Sequence, residues 1–278
     1  MWAERGTGYF TGAIAILGDN VTLIDSGTLD SPERAIIPFL RKAGHLPADI
    51  TDIVLTHSHG DHSDGIPGIL KVSKPVIHVH ELDRPNVEEL ARKAGFSASI
   101  IENFNDKQLL HMSDRNLRVV HTPGHSEGSV CIFDEETHTM VSGDSVQGRG
   151  KGRPLIFNSA AAYETSMNRL LRQRVDSMML GHPFPPYHKG VLSNDEPKAF
   201  MNDSLEAIRS LRREMGEMIS NVAEPFCLDD VALHFPDLRE PTIRCILDEF
   251  SEKGRLEVVE ATAERKRHWV RNISSKNK

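Results

Sequence analysis

Within six positions the chain places three imidazoles and a carboxylate, His57, His59, Asp61 and His62, with Gly60 among them. Neutral imidazole and carboxylate are the donors that zinc and other first-row divalent ions take. Alternate side chains of an extended segment point the same way, so His57 and His59 can grip one ion. Asp61 and His62 follow where Gly60 permits a bend, within reach of a second. Three more metal-competent residues stand apart: His125 after Thr122, Pro123 and Gly124; Asp144 after Met140, Val141, Ser142 and Gly143; His182 after Met178, Met179, Leu180 and Gly181. A polar loop explains the first cluster by chance, but not three further strand ends that each deliver one such residue. That is the pattern of a sheet edge feeding one crevice. Ions held there lower the pKa of bound water from about 15.7 to roughly 7 and stabilise negative charge on a carbonyl or phosphoryl oxygen, which is the chemistry of hydrolysis.

The elements that must position these residues alternate. Residues 11–27 predict a hairpin turning at Gly18, Asp19 and Asn20, with Asp25 at a strand end. Ser31 as N-cap, Pro32 in the first turn and Gly44 as stop predict a helix. Strands follow at 52–56, 75–79, 117–120, 129–133, 139–142 and 177–180, with helices at 82–94 and 160–172. Interleaved strands and helices give an α/β class with layered sheets. After Pro197, apolar residues from Phe200 to Ile219 recur at helical spacing. Short helices at 227–235 and 240–253 and a two-stranded wing at 256–260 and 268–270 then form a small winged-helix-like module. Two domains are expected, 1–196 and 197–278, with residues 273–278 a frayed tail.

The bulk properties suit a globular enzyme. The chain has 278 residues, 38% hydrophobic and 26% charged, and a net charge of −7, so there is no overall basic footprint for nucleic acid. No apolar run reaches a membrane span, and the chain begins Trp2, Ala3, Glu4, Arg5 rather than with a basic and then apolar leader. Cys131, Cys227 and Cys245 are an odd number without metal-type spacing, which reads as buried thiols in a reducing compartment. A cytoplasmic protein is expected.

The ligand pattern resembles the metallo-β-lactamase superfamily. Its signature of histidine, any residue, histidine, any residue, aspartate, histidine is matched by His57 to His62, and its later histidine, aspartate and histidine by His125, Asp144 and His182. Asp25, in Leu23, Ile24, Asp25, Ser26, Gly27, matches the early aspartate that orients a ligand from behind. The resemblance implies an αββα sandwich and a dinuclear site. One ion would take His57, His59 and His125, the other Asp61, His62 and His182, and Asp144 would bridge them. Two zinc ions are expected, although iron or manganese suits the same donors. Asp61 is both a ligand and a candidate catalytic residue that orients the water or shuttles its proton. Aspartate at 144, where several true β-lactamases carry cysteine or serine, argues against β-lactam hydrolysis. Histidine at 59, where oxygen-reducing di-iron relatives carry glutamate, favours a hydrolase. A related persulfide dioxygenase keeps the motif with one iron and stands as an alternative.

The module after 197 makes the chain similar to a subfamily that includes a mitochondrial single-strand endoribonuclease, fungal polyketide thioesterases and glyoxalase II-like enzymes. Residues 197–278 carry 14 Lys and Arg against 15 Asp and Glu, a net of −1. Helix 240–253 bears Glu240, Asp248, Glu249 and Glu252 beside Arg244 and Lys253, and only Arg265, Lys266 and Arg267 cluster at the wing. The module therefore reads as a lid wall or homodimer contact rather than a nucleic-acid reader. Between Asp144 and His182 lie only 37 residues, too few for the domain inserted in the large nucleic-acid-processing members. A small ester, thioester or lactone is the expected substrate, single-stranded RNA the alternative, and a metal-dependent binding module without turnover a third reading. Weaker signals are the basic glycine-rich loop 148–153, with Lys151 as a substrate contact, and Phe184, Tyr187, His188 and Lys189, of which Tyr187 and His188 are candidate pocket residues. His78 and His80 share one side of a strand without a third partner and read as packed.

Overall fold

The computed structural model describes residues 2–4, 10–222, 225–260 and 267–271; Arg5, Arg265, Lys266 and the tail 273–278 lie outside them. Strands β1 (Trp2–Glu4) and β2 (Phe10–Gly12) pair antiparallel. The expected hairpin is β3 (Ile14–Leu17) and β4 (Val21–Ile24), with Ile14 opposite Ile24. Strands β5 (Ile50–Val54), β6 (Val76–His80) and β7 (Ile101–Phe104) extend it in parallel into a sheet of order β3-β4-β5-β6-β7. The second sheet holds β8 (Leu109–Met112), β9 (Arg115–His121), β10 (Val130–Asp134), β11 (Thr139–Gly143), β12 (Ser177–Leu180) and β13 (Val191–Ser193), in order β13-β12-β11-β10-β9-β8. Only the β11–β12 pair is parallel in it.

Period-two alternation divides each strand between two cores. Ile24 and Val54 of the first sheet meet Val119, Ile132 and Val141 of the second in one apolar cluster, which is the seam of the sandwich. Their chain neighbours Leu23 and Ile53 face the other way, onto Leu40 of α1 (Ile37–Lys42), Ile66 and Ile69 of α3 (Ile66–Leu70) and Val87 and Ala91 of α4 (Arg84–Ala94). The short α2 (Gly60–Ser63) precedes α3. Val120, Cys131 and Met140 face Tyr163 and Met167 of α5 (Ala160–Leu170) and Phe200 of α6 (Glu196–Asn221). Each sheet is thus covered on both faces, which explains the unbroken apolar runs in place of polar alternation. Burying one such Val, Leu or Ile is worth about 1.5–3 kcal/mol. The architecture is the α/β sandwich of two sheets with helices on both outer faces that the resemblance implies.

Beyond α6 come β14 (Phe226–Cys227), α7 (Leu228–His234), α8 (Glu240–Glu252), β15 (Leu256–Glu260) and β16 (Arg267–Arg271), the strands in order β14-β16-β15. Ile243, Ile246, Leu247 and Phe250 of α8 and Trp269 of β16 belong to the same apolar cluster as Tyr163 and Phe200, so this segment packs directly on the second sheet's helical layer. Arg212 joins α6 to both flanking helices, with Glu249 accepting from its Nε at 2.8 Å and Glu164 from its Nη1.

One expectation shifts and another holds. Ser31 does not cap the following helix: its Oγ accepts from the Thr28 amide at 2.9 Å instead, closing the turn before Pro32. His78 and His80 both find partners in the packing, His78 Nε2 lying 2.8 Å from Asp52 Oδ1 and His80 stacking on His121 at 4.1 Å.

Candidate metal centre

All seven sequence-selected ligands converge at one end of the sandwich, where strands of both sheets run out. After β5 the chain passes through Thr56, whose carbonyl accepts from the Val130 amide at 2.9 Å and so joins the two sheets. His57 follows. His59 carries the carbonyl that starts α2, accepting from His62 at 2.9 Å and Ser63 at 3.0 Å. That helical turn, rather than an irregular loop, swings Asp61 and His62 away from His57 and His59. From the second sheet, β9 leads to His125, β11 to Asp144 and β12 to His182. Gly143 sits at φ +46°, and a Cβ there would lie 2.3 Å from Thr56 Oγ1, so only glycine lets β11 deliver Asp144 beside Thr56.

Ligating atoms fall into three overlapping groups, each with all its donors within 4.8 Å: His57, His59 and His125; His57, His62 and Asp144; Asp61, His62 and His182. Four rings hold Nδ1 on a neighbour and present Nε2 to the centre. His62 Nδ1 is 2.7 Å from Asp25 Oδ2, His125 Nδ1 2.8 Å from the Leu155 carbonyl, His182 Nδ1 2.7 Å from the Phe10 carbonyl and His57 Nδ1 3.2 Å from Thr56 Oγ1. Such partners fix the tautomer and aim of a ligating ring. Asp144 touches both sides: Oδ1 is 3.5 Å from His62 Nε2, and Oδ2 is 3.3 Å from His182 Nε2 and 3.6 Å from His125 Nε2. Asp61 Oδ2 lies 3.1 Å from His182 Nε2. His57 Nε2, His62 Nε2 and Asp144 Oδ1 are buried and make no hydrogen bond among the described residues.

Electrostatics follow from packing these groups out of water. Burial, together with His62 and His125, holds His57 well below the usual histidine range, and burial takes His125 down to about 4 and lowers His59. Burial opposes a charge on His62 as well, but Asp25 and Asp144 outweigh it and raise His62 well above the usual range. Burial is again outweighed at His182, which Asp144 and Asp61 lift to about 9. Burial pushes the carboxyl groups up, yet a hydrogen bond with His182 and the charge of His62 bring Asp61 to about 2, and His182 and His62 hold Asp144 well below its usual range.

Three supports went unseen in the sequence. Asp83 is buried and accepts from the Ser58 amide at 2.7 Å, the Gly128 amide at 2.9 Å and Ser126 Oγ at 3.2 Å, which ties the His57–His59 segment to the His125 loop. Gln147, fully buried, donates Nε2 to the Asp144 carbonyl at 3.0 Å and the Leu155 carbonyl at 2.9 Å. Phe157, half exposed, packs its edge on His59 at 4.9 Å and on His125 at 5.5 Å between centroids. Nothing in the pattern of the sequence marks Asp83, which falls there in the first turn of the expected helix 82–94.

Five of the seven ligands, His59, Asp61, His125, Asp144 and His182, line an open cleft of about 930 Å³, walled by Lys151 to Arg153, Leu155, Phe157 and the segment Pro236 to Arg239. Lys151 is where the sequence suggested, on the cleft, paired with Asp237 at 2.8 Å. Tyr187 and His188 are not part of this lining: Tyr187 sits edge-on to Phe200 at 5.8 Å and His188 is exposed at φ +49°. Phe184, two residues after His182, packs into the core against Phe200, and Tyr187 packs beside it on the same cluster.

The family model for the metallo-beta-lactamase superfamily matches residues 8–182. An atrochrysone carboxyl ACP thioesterase of Pseudocercospora fijiensis is 31% identical over 176 residues, 63% of this chain and 45% of that protein. One of Claviceps purpurea is 27% identical over 129 residues, 46% of this chain and 37% of that protein. The chain therefore spans less than half the length of these curated relatives. Among solved structures, a beta-lactamase domain protein from Burkholderia ambifaria superposes with a TM-score of 0.69 at 16% identity, covering 97% of this chain and 94% of its own, a likeness of fold alone. With the family model covering most of the chain and every signature position occupied, this protein belongs to the metallo-beta-lactamase superfamily.

Proposed function

We propose that the chain is a dinuclear metal-dependent hydrolase acting on a small ester, thioester or lactone. One observation carries this reading: His57 Nε2, His62 Nε2 and Asp144 Oδ1 are buried and make no hydrogen bond among the described residues, beside an open cleft lined by His59, Asp61, His125, Asp144 and His182. A buried polar atom left so costs about 1–3 kcal/mol, and three that point at one another's neighbours fit a site made for cations. His57, His59 and His125 would hold one ion and Asp61, His62 and His182 the other, with Asp144 shared between them. Zinc is the favoured metal, and iron or manganese suits the same donors.

When bound, such ions supply Lewis acidity toward a carbonyl oxygen and a nucleophile at neutral pH. The chain's own residues do the rest. Asp25, the Leu155 carbonyl and the Phe10 carbonyl hold three imidazoles in the tautomer that leaves Nε2 free to ligate. Asp61, lying by the cleft, takes and passes a proton. Phe157 offers an apolar face to an acyl group beside His59 and His125. The segment after α6 is read as a winged-helix-like module in a domain of residues 197–278, whose Pro236 to Arg239 wall the cleft. The names of the curated relatives favour a thioester over the other two bonds.

Metal-loaded protein assayed on a panel of acyl thioesters, lactones and esters should turn over at least one, chelation should abolish the activity, and Asp61→Ala should lower kcat by about 100-fold or more. Silence across the panel with two ions bound overturns the reading. Elemental analysis giving one iron per chain redirects it to persulfide dioxygenase chemistry, and metal-dependent cutting of single-stranded RNA that is lost in Asp61→Ala redirects it to an endoribonuclease.

A further inference from the structure

We infer that the end of the sandwich remote from the metal cluster holds a second binding site, an apolar slot between the two sheets with an acidic mouth, and that it takes a small amphiphile whose aliphatic chain ends in a protonated amine. It is built from residues that the hydrolase reading does not use.

The slot follows from where the first sheet stops. Strand β3 is an edge of that sheet, paired with β4, and its Ile14 and Ile16 are only partly buried although they pack on the seam cluster. Leu117 of β9, Ile132 of β10, Val141 of β11 and Met179 of β12 join them in lining an opening of about 330 Å³. A close-packed seam leaves no such space. With aliphatic walls and this volume, the opening falls at the lower end of pockets that hold small organic ligands. Its polar lining is gathered at one end, because Asp114 and Arg115 stand at the start of β9, Asp134 ends β10 and pairs with Thr139 at the start of β11. Asp114 and Thr137 are exposed there, so this end meets solvent. Strands β9 and β11 lead to His125 and Asp144 from their opposite ends, and the slot shares no lining residue with the metal-binding cleft.

Charge then selects the occupant. Arg115 is shared among three carboxylates, its Nε 3.7 Å from Asp114 Oδ1 and its Nη1 3.4 Å from Asp134 Oδ2 and 3.3 Å from Glu136 Oε2. All three distances exceed the 2.6 Å of the Arg118–Glu135 pair nearby. One guanidinium does not neutralise three anions, and Asp114 and Glu136, both exposed, make no other ion pair among the described residues. The surplus at the mouth is negative. It opposes the carboxylate of a fatty acid and attracts an ammonium group, whose three N–H donors meet acceptors already in place. The walls offer only aliphatic contact, so an occupant must carry its polar group at one end and none along its length.

The test titrates the metal-loaded full chain at neutral pH with octylamine, octanoate and 1-octanol by calorimetry, and follows the methionine methyl resonances to locate the site. The expected result is one saturable octylamine site with a Kd about tenfold or more below that for octanoate, 1-octanol falling between, and a preference that shrinks as salt is raised. The Met179 methyl should shift on binding. Two variants separate walls from mouth. Thr139→Phe, at a half-buried strand position that suits an aromatic residue, fills the slot and abolishes binding of all three. Asp114→Asn combined with Glu136→Gln, both at exposed positions, leaves Arg115 to Asp134 alone and brings the octylamine and octanoate affinities to within about twofold. These readouts need no turnover, so they stand or fall apart from the hydrolase reading. Equal affinities for the three probes in wild type, tighter binding of octanoate, or octylamine binding that persists unchanged in Thr139→Phe overturns the inference. So does a dimer that dissociates in Thr139→Phe while octylamine finds no site, which assigns the slot to a second copy of the chain.

Discussion

Asp25 Oδ2 lies 2.7 Å from His62 Nδ1, and the same carboxylate accepts from the Thr56 amide and hydroxyl at 2.8 Å each, so one buried acid positions a ligating ring and the strand end that leads to His57. Asp25 does this at φ +62°, a conformation that asparagine also tolerates. Asp25→Asn is therefore a clean probe: it keeps an acceptor for Thr56 but turns an N–H toward the His62 N–H. We expect metal affinity to fall by about 10- to 100-fold, measured by competition with a chromophoric chelator, and an unchanged affinity would remove Asp25 from the support of the site.

Asp83 links residues 58 and 128 across the cluster. Gly128 exists for this contact, since a Cβ there would lie 2.6 Å from the Asp83 carboxyl carbon. Asp83→Ala strands a buried amide at Gly128 and a part-buried one at Ser58. Denaturant unfolding of the metal-free protein should show a loss of about 3 kcal/mol, with Asp83→Asn losing less because it still accepts from Gly128. Equal stability of all three proteins would contradict the bracing role.

The acid limb of stability has a readable contribution from Asp106. Burial pushes its carboxyl up, but Arg169 at 2.8 Å and the His121 amide at 2.9 Å outweigh this and hold it below the usual carboxylate range. Because the folded-state pKa is lowered, the stabilisation is fully present above the unfolded value of about 3.9 and is lost as pH falls through the folded one. The pair is about one-third exposed, so its worth is on the order of 1 kcal/mol. Arg169→Met should cost that much at pH 7 and progressively less below about pH 4, read from paired urea melts. A penalty that stays constant from pH 7 to pH 3 would show that Arg169 acts by packing alone.

Much of this was legible in the chain. The seven ligands were legible because each follows an apolar stretch that could only be a buried strand, and the structure brings all seven to one end of the sandwich. Strands β7, β8 and β13 were not, because each offers only one or two buried residues: Ile101 and Phe104, Leu110 and Met112, and Leu192. Tyr187 and His188 follow His182 closely in sequence but lie outside the cleft lining, since Phe184 between them packs into the core. Asp83 and Gln147 act across 45 and 22 residues of separation, through loops whose approach no local pattern records.

Asp144 spans the cluster, its two oxygens within 3.6 Å of His62, His125 and His182. Without its charge, two cations would share one pocket with only Asp61 to offset them. If the centre is dinuclear as proposed, Asp144→Asn should bind one ion where wild type binds two, counted by elemental analysis after dialysis, and the metal-induced rise in melting temperature should shrink accordingly. Two tightly held ions in the variant would mean that Asp144 is not shared.

A hydroxyl of the C-terminal segment supports one of the ligands. Thr242 of α8, fully buried, donates to the Pro154 carbonyl at 3.0 Å and accepts from the Ile156 amide at 3.0 Å, which clamps the two residues on either side of Leu155. Leu155 in turn holds His125 Nδ1 by its carbonyl, so α8 sets the aim of a ligand from another layer of the fold. Thr242→Val keeps the shape and removes both bonds, leaving a buried amide and carbonyl without partners. It should lower stability by about 1–3 kcal/mol and weaken metal binding through His125, whereas Thr242→Ser restores both. The two readouts separate the roles: lost stability with unchanged metal affinity would confine Thr242 to packing, and a metal defect rescued by serine ties the C-terminal helix to the chemistry of the cleft.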